Sequence, residues 1–349
     1  MIKVAGILLC EVSVLFLTSY TQAKEYKKPN ILFIMTDQQR YDMLSCVGNH
    51  YVNTPSLDRL ASNGVRFERN YCANPVSMPS RFAMVTGRFA GEIGYTNNSS
   101  QPDTLAVLPA ARKSSIGNIF RNAGYKTLYS GYAGFYCGKT NIEEYGFTQN
   151  GTDYNAGPAN FAKKFFMNYN PKADEPFFLY LSFMNPHDIC YGAGFDPRFP
   201  NKLRPHQIAA TQKYIELRKT LSDEEYRSQV PPVPGNTEPN GAYAEIKEIG
   251  SGSRNWTEEQ WAFYRWMYCR LVEDVEQQIG RVLAALEESG LADNTIVVFT
   301  SDHGEMNQSH GLVFKSQLLE EATRTPLIIS GPKVKKNIVD SINLTCGID

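Results

Sequence analysis

The sequence predicts an α/β fold: a large, mixed but mostly parallel sheet flanked by helices on both faces. Short apolar runs end abruptly in polar residues, as in Asn30-Ile31-Leu32-Phe33-Ile34-Met35-Thr36-Asp37-Gln38, which is how parallel strands buried on both faces read. Between them lie stretches with apolar residues at helical spacing, closed by glycine. A chain of 349 residues, 42% hydrophobic and 20% charged, also has the length and apolar content for a sizeable core.

In chain order, Lys3, the apolar run Val4 to Leu17 and the Thr21-Gln22-Ala23 exit read as a secretory signal peptide spanning residues 1–23. The run is short of the ~20 apolar residues a membrane span requires, so no stable membrane insertion is expected after cleavage. Residues 24–349 then form the folded chain. Its first strand is Asn30 to Thr36. Thr54-Pro55-Ser56 opens a helix through Leu57, Leu60 and Ala61 that Gly64 ends. Phe67 to Cys72 forms a short strand leading to Ser77-Met78-Pro79-Ser80-Arg81-Phe82-Ala83-Met84-Val85-Thr86-Gly87-Arg88, which turns helical through Phe82 to Val85. A second helix runs from Ser115 to Gly124, followed by a strand over Tyr125–Gly131 and an irregular loop to Gly138. Pro176 to Phe183 is the third long strand, with Asn185-Pro186-His187-Asp188 beyond it.

Residues from about 191 to 254 are rich in Pro and Gly and lack long apolar periodicity. They read as an excursion over the face that carries the polar strand ends, or as a surface loop with helical pieces. Thr257 and Gln260 form a capping-box pattern ahead of a long helix, in which Trp261, Tyr264, Tyr268, Leu271, Val275 and Ile279 make a core stripe. Asn294 to Thr300 is the last strand in this series, followed by Ser301-Asp302-His303-Gly304.

In open α/β sheets functional groups gather beyond the carboxyl ends of the strands. Asp37/Gln38 and Asp302/His303 occupy that position on two strands far apart in sequence, and a parallel sheet could bring them together as ligands for a divalent cation. A lone Asp after a strand is more often a turn residue; four such groups in matched settings favour a site. Ser77 ahead of a helix, with Arg81 and Arg88, suits an anion. Net charge is −1, so an anion site must be local, which favours a small anionic group over nucleic acid. The seven cysteines show no C-x-x-C spacing, which gives no support to a zinc or redox motif, and their pairing stays open.

These motifs resemble the sulfatase family of the alkaline-phosphatase-like superfamily, over residues 29 to the C-terminus. Ser77 to Arg88 is similar to its C/S-x-P-S-R…T-G-R signature, and Asn30–Arg40 and Asn294–Glu305 to its two metal motifs. Ala123-Gly124-Tyr125-Lys126-Thr127, Pro176 to His187, and His310-Gly311, Lys315, Glu320-Glu321 with Arg324-Thr325-Pro326 fit its remaining segments. The resemblance implies a sulfuric ester hydrolase in which Ser77 is oxidised to formylglycine (3-oxoalanine) by a radical-type sulfatase-maturing enzyme. It implies Ca²⁺, with Mg²⁺ as alternative, on Asp37, Gln38, Ser77, Asp302 and His303. Arg81 would hold the formylglycine hydrate, Lys139 and Lys315 the sulfate, and His187, with His310 in second place, the leaving oxygen. The signal peptide implies a periplasmic or otherwise secreted enzyme acting on a sulfated glycan.

Two departures stand out. The family's G-K-W-H segment is matched only by Gly138-Lys139-Thr140-Asn141 after an insertion, with Asn141 in the His position. The sequence also ends at Asp349, where the family continues into a smaller C-terminal subdomain, so exposed apolar surface is expected. Alternative readings are a phosphomonoester, phosphodiester or phosphonate hydrolase on the same scaffold, or an inactive sulfatase-like protein that binds anions.

Overall fold

A computed structural model of the chain describes residues 28–99, 108–132, 142–149, 151, 155–172, 175–192, 205–237 and 256–347. The expected signal peptide, residues 1–23, lies outside this set.

The strands are β1 (Asn30–Asp37), β2 (Gly64–Phe67), β3 (Asn70–Tyr71), β4 (Lys126–Gly131), β5 (Thr148–Gln149), β6 (Phe177–Pro186), β7 (Thr295–Ser301), β8 (Leu327–Ser330), β9 (Ile338–Asp340) and β10 (Thr345–Cys346). Eight of them form one sheet in the order β5-β4-β6-β1-β7-β8-β2-β9, while β10 pairs with β3. From β5 to β7 all pairings are parallel. The mixed character comes from β8, which runs antiparallel to both β7 and β2.

The helices are α1 (Pro55–Ser62), α2 (Ser77–Thr86), α3 (Leu108–Lys113), α4 (Ile116–Asn122), α5 (Gly157–Asn168), α6 (Ile189–Gly192), α7 (Pro205–Thr220), α8 (Asp223–Gln229), α9 (Glu258–Glu288) and α10 (Glu320–Thr323). Side-chain alternation in the strands feeds two cores. Leu32 and Ile34 of β1 and Leu179 and Leu181 of β6 pack with Leu57 of α1, Phe166 of α5 and Ile279 of α9. Met35, Phe178 and Tyr180 face the other way, against Met78 and Phe82 of α2 and Leu108 of α3. Helices therefore cover both faces, as the uninterrupted apolar runs of the central strands require.

The long helix α9 begins as expected: Thr257 Oγ1 accepts from the Gln260 amide, and the Thr257 amide donates to Gln260 Oε1. Its amino-terminal half carries a third cluster, in which Trp266 meets Tyr214 of α7 and Tyr226 of α8. The described part of the stretch from 191 to 254 is thus helical and partly packed. Periodicity concealed this because, among the described side chains of α7, Thr211 and Tyr214 are the ones deeply buried, while Ile208 and Leu217 stay exposed.

Apolar surface is exposed near the last strands, at Val339, Ile342 and Leu344. A groove of about 840 Å³ opens over Phe33, Val298, Leu327 and Ile329.

Strand β4 ends at Gly131, where φ is +104° and a Cβ would lie 2.0 Å from the Ser182 carbonyl oxygen and 2.7 Å from Pro158 Cγ. Gly131→Ala should therefore cost about 2 kcal/mol or more of unfolding free energy. Urea titration checks this; a loss below about 0.5 kcal/mol would mean the junction relaxes freely.

Candidate functional site

Strand register sets the site. In the β1–β7 pair Thr36 lies opposite Ser301, and the Asp302 amide donates to the Thr36 carbonyl at 3.2 Å. Asp37 and Asp302 therefore leave adjacent strands side by side. On the other flank of β1, Asp37 aligns with Pro186 of β6, which brings His187 to the same end. Helix α2 supplies Ser77. The expected helix started near Phe82, behind Ser77, but Ser77 is itself the first helical residue. The Met78 amide is met by Asn98 Oδ1 at 3.0 Å, so a helix-start donor is satisfied from outside the helix.

Ser77 Oγ stands 3.0 Å from His303 Nε2, 3.4 Å from Asp37 Oδ1 and 3.2 Å from Lys315 Nζ. His303 Nδ1 lies 2.9 Å from the Gly304 carbonyl. A carbonyl only accepts, so Nδ1 carries the proton and the Nε2 lone pair faces the centre. That lone pair is 3.6 Å from a carboxylate oxygen of Asp37 and 3.6 Å from one of Asp302. One ligand atom each from Asp37, Asp302 and His303 lies within 4.8 Å of the others. Converging lone pairs in a buried place repel unless a cation sits among them. The donor set of hard carboxylate oxygens and an imidazole anchored to a carbonyl fits a divalent ion.

Arg81 was expected on a hydrate at residue 77, yet the hydrogen bonds found for it go elsewhere. Its Nε donates to Asp302 Oδ2 at 2.8 Å and its Nη2 to Asp37 Oδ2 at 2.9 Å. Nη1 donates to Ser182 Oγ at 2.8 Å and to the Tyr132 carbonyl at 2.9 Å. Arg88 lies beyond the other end of the ten-residue α2, ~15 Å away by helical rise.

Gln38 leaves β1 at φ 72°. Its amide donates to Asp302 Oδ1 at 3.0 Å, and its carbonyl accepts from the Tyr268 hydroxyl at 2.6 Å. Its side-chain oxygen accepts from Lys315 Nζ at 2.6 Å, and its Nε2 donates to Glu305. Tyr264, Tyr268 and Glu305 are thus parts of the site that periodicity and motif reading passed over. The two tyrosines look like core stripe, and Glu305 was visible only as the last letter of a motif.

His187 is half-buried near Lys315, and its Nδ1 has no hydrogen-bond partner among the described residues. The structure does not bring His310 to the centre: it faces Asn236 at 3.2 Å and Glu321 at 3.8 Å. Lys139 and Asn141 lie outside the described residues.

Electrostatics follow from burial. Burial opposes ionisation of Asp302, but His303, Arg81 and Lys315 outweigh it and hold the carboxyl at about 2. Asp37 is raised, by burial first and by Asp302 second. Burial takes His303 down to about 4. Burial, then the charge of Lys315, depresses His187 well below its ordinary value. Burial also works against a charged Arg81, but Asp302 and Asp37 more than compensate and keep it protonated.

The sulfatase family model matches residues 29–345. The N-acetylglucosamine-6-O-sulfatase of Bacteroides thetaiotaomicron is 30% identical, over 94% of this chain and 67% of its own length. Among solved structures, a 2-O GAG sulfatase superposes with a TM-score of 0.72 at 24% identity, covering 92% of this chain and 68% of that one. The phosphonate monoester hydrolase of Agrobacterium radiobacter reaches a TM-score of 0.66 at 21% identity, with 92% and 72% covered. The chain spans 64% to 67% of the length of the first curated relatives it matches.

Replacing Arg81 by Leu leaves two buried carboxylates without their cation. The metal-free variant should lose about 3–5 kcal/mol at pH 7, and less near pH 4, where Asp37, already raised, and Asp302, released from Arg81, can take up protons. Urea unfolding at both pH values checks the size and its pH trend. His303 acts in the opposite pH sense. Its folded value of about 4 lies below the ordinary histidine value of 6.5, so its contribution is complete above 6.5 and fades as pH falls towards 4. The metal-free protein should lose on the order of 3 kcal/mol over that window through this residue, and His303→Gln should flatten the profile by that amount.

Proposed function

The chain belongs to the sulfatase family, and from this we propose that it hydrolyses a sulfuric ester, with residue 77 as nucleophile. The observation that carries the reading is the convergence of Ser77 Oγ with His303 Nε2, Asp37 and Lys315 Nζ, all within 3.4 Å of that oxygen.

An unmodified serine hydroxyl is a weak nucleophile, and a sulfated serine would be a stable dead end. In this reading a radical-type sulfatase-maturing enzyme removes two electrons and two protons from Ser77 to leave formylglycine, which hydrates. One hydroxyl oxygen attacks sulfur while the bond from sulfur to the alcohol oxygen breaks. The other hydroxyl then loses its proton, the aldehyde re-forms and sulfate leaves.

Asp37, Gln38, Asp302, His303 and the oxygen of residue 77 would hold Ca²⁺, with Mg²⁺ as the alternative. When bound, the ion lowers the pKa of the nucleophile and offsets charge on the sulfate oxygens. Lys315 grips the sulfate, and Lys139 is assigned to the same task. His187 delivers the proton to the leaving alcohol. It is neutral at rest because burial and Lys315 depress it, and an arriving sulfate offsets the Lys315 charge and raises it towards its working range. Arg81 orients both carboxylates.

A sulfated glycan is the substrate class we favour. A curated relative is named as an N-acetylglucosamine-6-O-sulfatase, and a structural neighbour as a GAG sulfatase. The signal-like N-terminus suits secretion to the periplasm, where such polymers are met. The phosphonate monoester hydrolase neighbour makes phosphorus esters the reading to test against.

Peptide mass spectrometry of protein co-expressed with a radical maturase should find the Ser77 peptide two hydrogens lighter. An unmodified Ser77 in that preparation would overturn the formylglycine route. The matured protein should cleave aryl sulfate faster than aryl phosphate or phosphonate; the reverse order would reassign the substrate. Ser77→Ala should lower kcat on the order of 10⁴-fold or more. His187→Asn should cost roughly 10²-fold on a poor leaving group and much less on an activated aryl sulfate. Equal losses on both would remove His187 as the acid.

A further inference from the structure

The Gln38 carboxamide has two ends of similar shape and opposite chemistry. Only the oxygen can serve as a ligand to a cation. Lys315 Nζ, which can only donate, lies 2.6 Å from Oε1, while the Cys190 sulfur lies 3.3 Å from both ends and favours neither. The nitrogen end donates to a carboxylate oxygen of Glu305.

Glu305 is fully buried, and each group found on it is a donor. Besides Gln38 Nε2 these are the Tyr264 hydroxyl at 2.9 Å, the Phe314 amide at 2.7 Å and the Asn307 amide at 3.1 Å. A buried carboxyl ringed by donors is held as a carboxylate in a fixed pose. Glu305 does not belong to the group of possible metal ligands formed by Asp37, Asp302 and His303.

We propose that Glu305 is a positioning residue: it captures the nitrogen end of Gln38 and so turns the oxygen end towards Lys315 and the Ser77–Asp37–Asp302 centre. With the carboxylate in place, flipping the amide would set an oxygen against Glu305 and an NH₂ against the Lys315 ammonium, both repulsive. This role rests on the reading of Gln38 as a metal ligand given above.

The test is Ca²⁺ binding to the full chain by calorimetry, with melting temperatures of the metal-free proteins alongside. Glu305→Gln keeps the shape but can offer either end of its own amide to Gln38. It should weaken Ca²⁺ binding by about 10-fold or more, the usual size of a lost supporting contact to a metal ligand. In the background of Gln38→Glu, residue 38 has no nitrogen end, so the same Glu305→Gln change should leave affinity within about 2-fold or tighten it. Equal weakening in both backgrounds would show a general structural role and overturn the proposal, as would unchanged affinity with Gln38 in place. Should Glu305→Gln fail to fold, Tyr264→Phe loosens the same carboxylate and must show the same dependence on residue 38. A wild-type chain that binds no Ca²⁺ overturns the metal reading itself and this role with it. Tight wild-type binding with equal losses in both backgrounds overturns only the role of Glu305.

Discussion

One guanidinium holds the polar end of this sheet together. Arg81 rises from α2 and reaches Asp37 at the end of β1, Asp302 after β7, Ser182 in β6 and the backbone at Tyr132 after β4. Its plane also lies 4.8 Å from the Tyr132 ring centroid. Four strands and the helix that carries Ser77 are thus registered to one rigid, permanently charged fork. Lysine could neutralise one carboxylate here but could not span both and still meet two neutral acceptors. The burial that makes this charge costly also strengthens each of its hydrogen bonds.

The backbone around Gln38 depends on the same arrangement. A non-glycine residue at positive φ costs on the order of 1–3 kcal/mol and persists only where its surroundings over-determine it. Here the Asp302 side chain takes the Gln38 amide, Tyr268 takes its carbonyl, and Lys315 and Glu305 take the two ends of its side chain. Tyr264 and Tyr268 sit one turn apart on α9, so the helix that closes one core also supports the site from behind. Packing and chemistry share a face.

How much of this was legible in the sequence follows from how local each signal is. Strand ends were legible, because an apolar run stopping at Asp37 or Asp302 carries its meaning within a few residues. So was the cap of α9. The partners of Arg81 were not: a signature motif names the residue, but pairing with two carboxylates depends on strand order, which no local pattern encodes. Glu305 and Tyr268 were hidden for the same reason, since their partner Gln38 is more than 220 positions away, and Tyr264 meets the site only through Glu305. Helix α7 escaped notice because a helix lying on a protein surface with Tyr214 as its deep apolar anchor has almost no stripe to detect. The antiparallel β8 could not be told from a parallel strand by its three apolar letters, Leu327 to Ile329.

The identity of residue 38 as glutamine then has an electrostatic consequence. Among the described residues the buried centre holds three carboxylates, Asp37, Asp302 and Glu305, against two cations, Arg81 and Lys315, a formal excess of one negative charge. A further aspartate or glutamate at 38 would make that excess two, at distances where the low dielectric leaves repulsion poorly screened. A neutral amide held oxygen-first thus offers a ligand without adding to that charge.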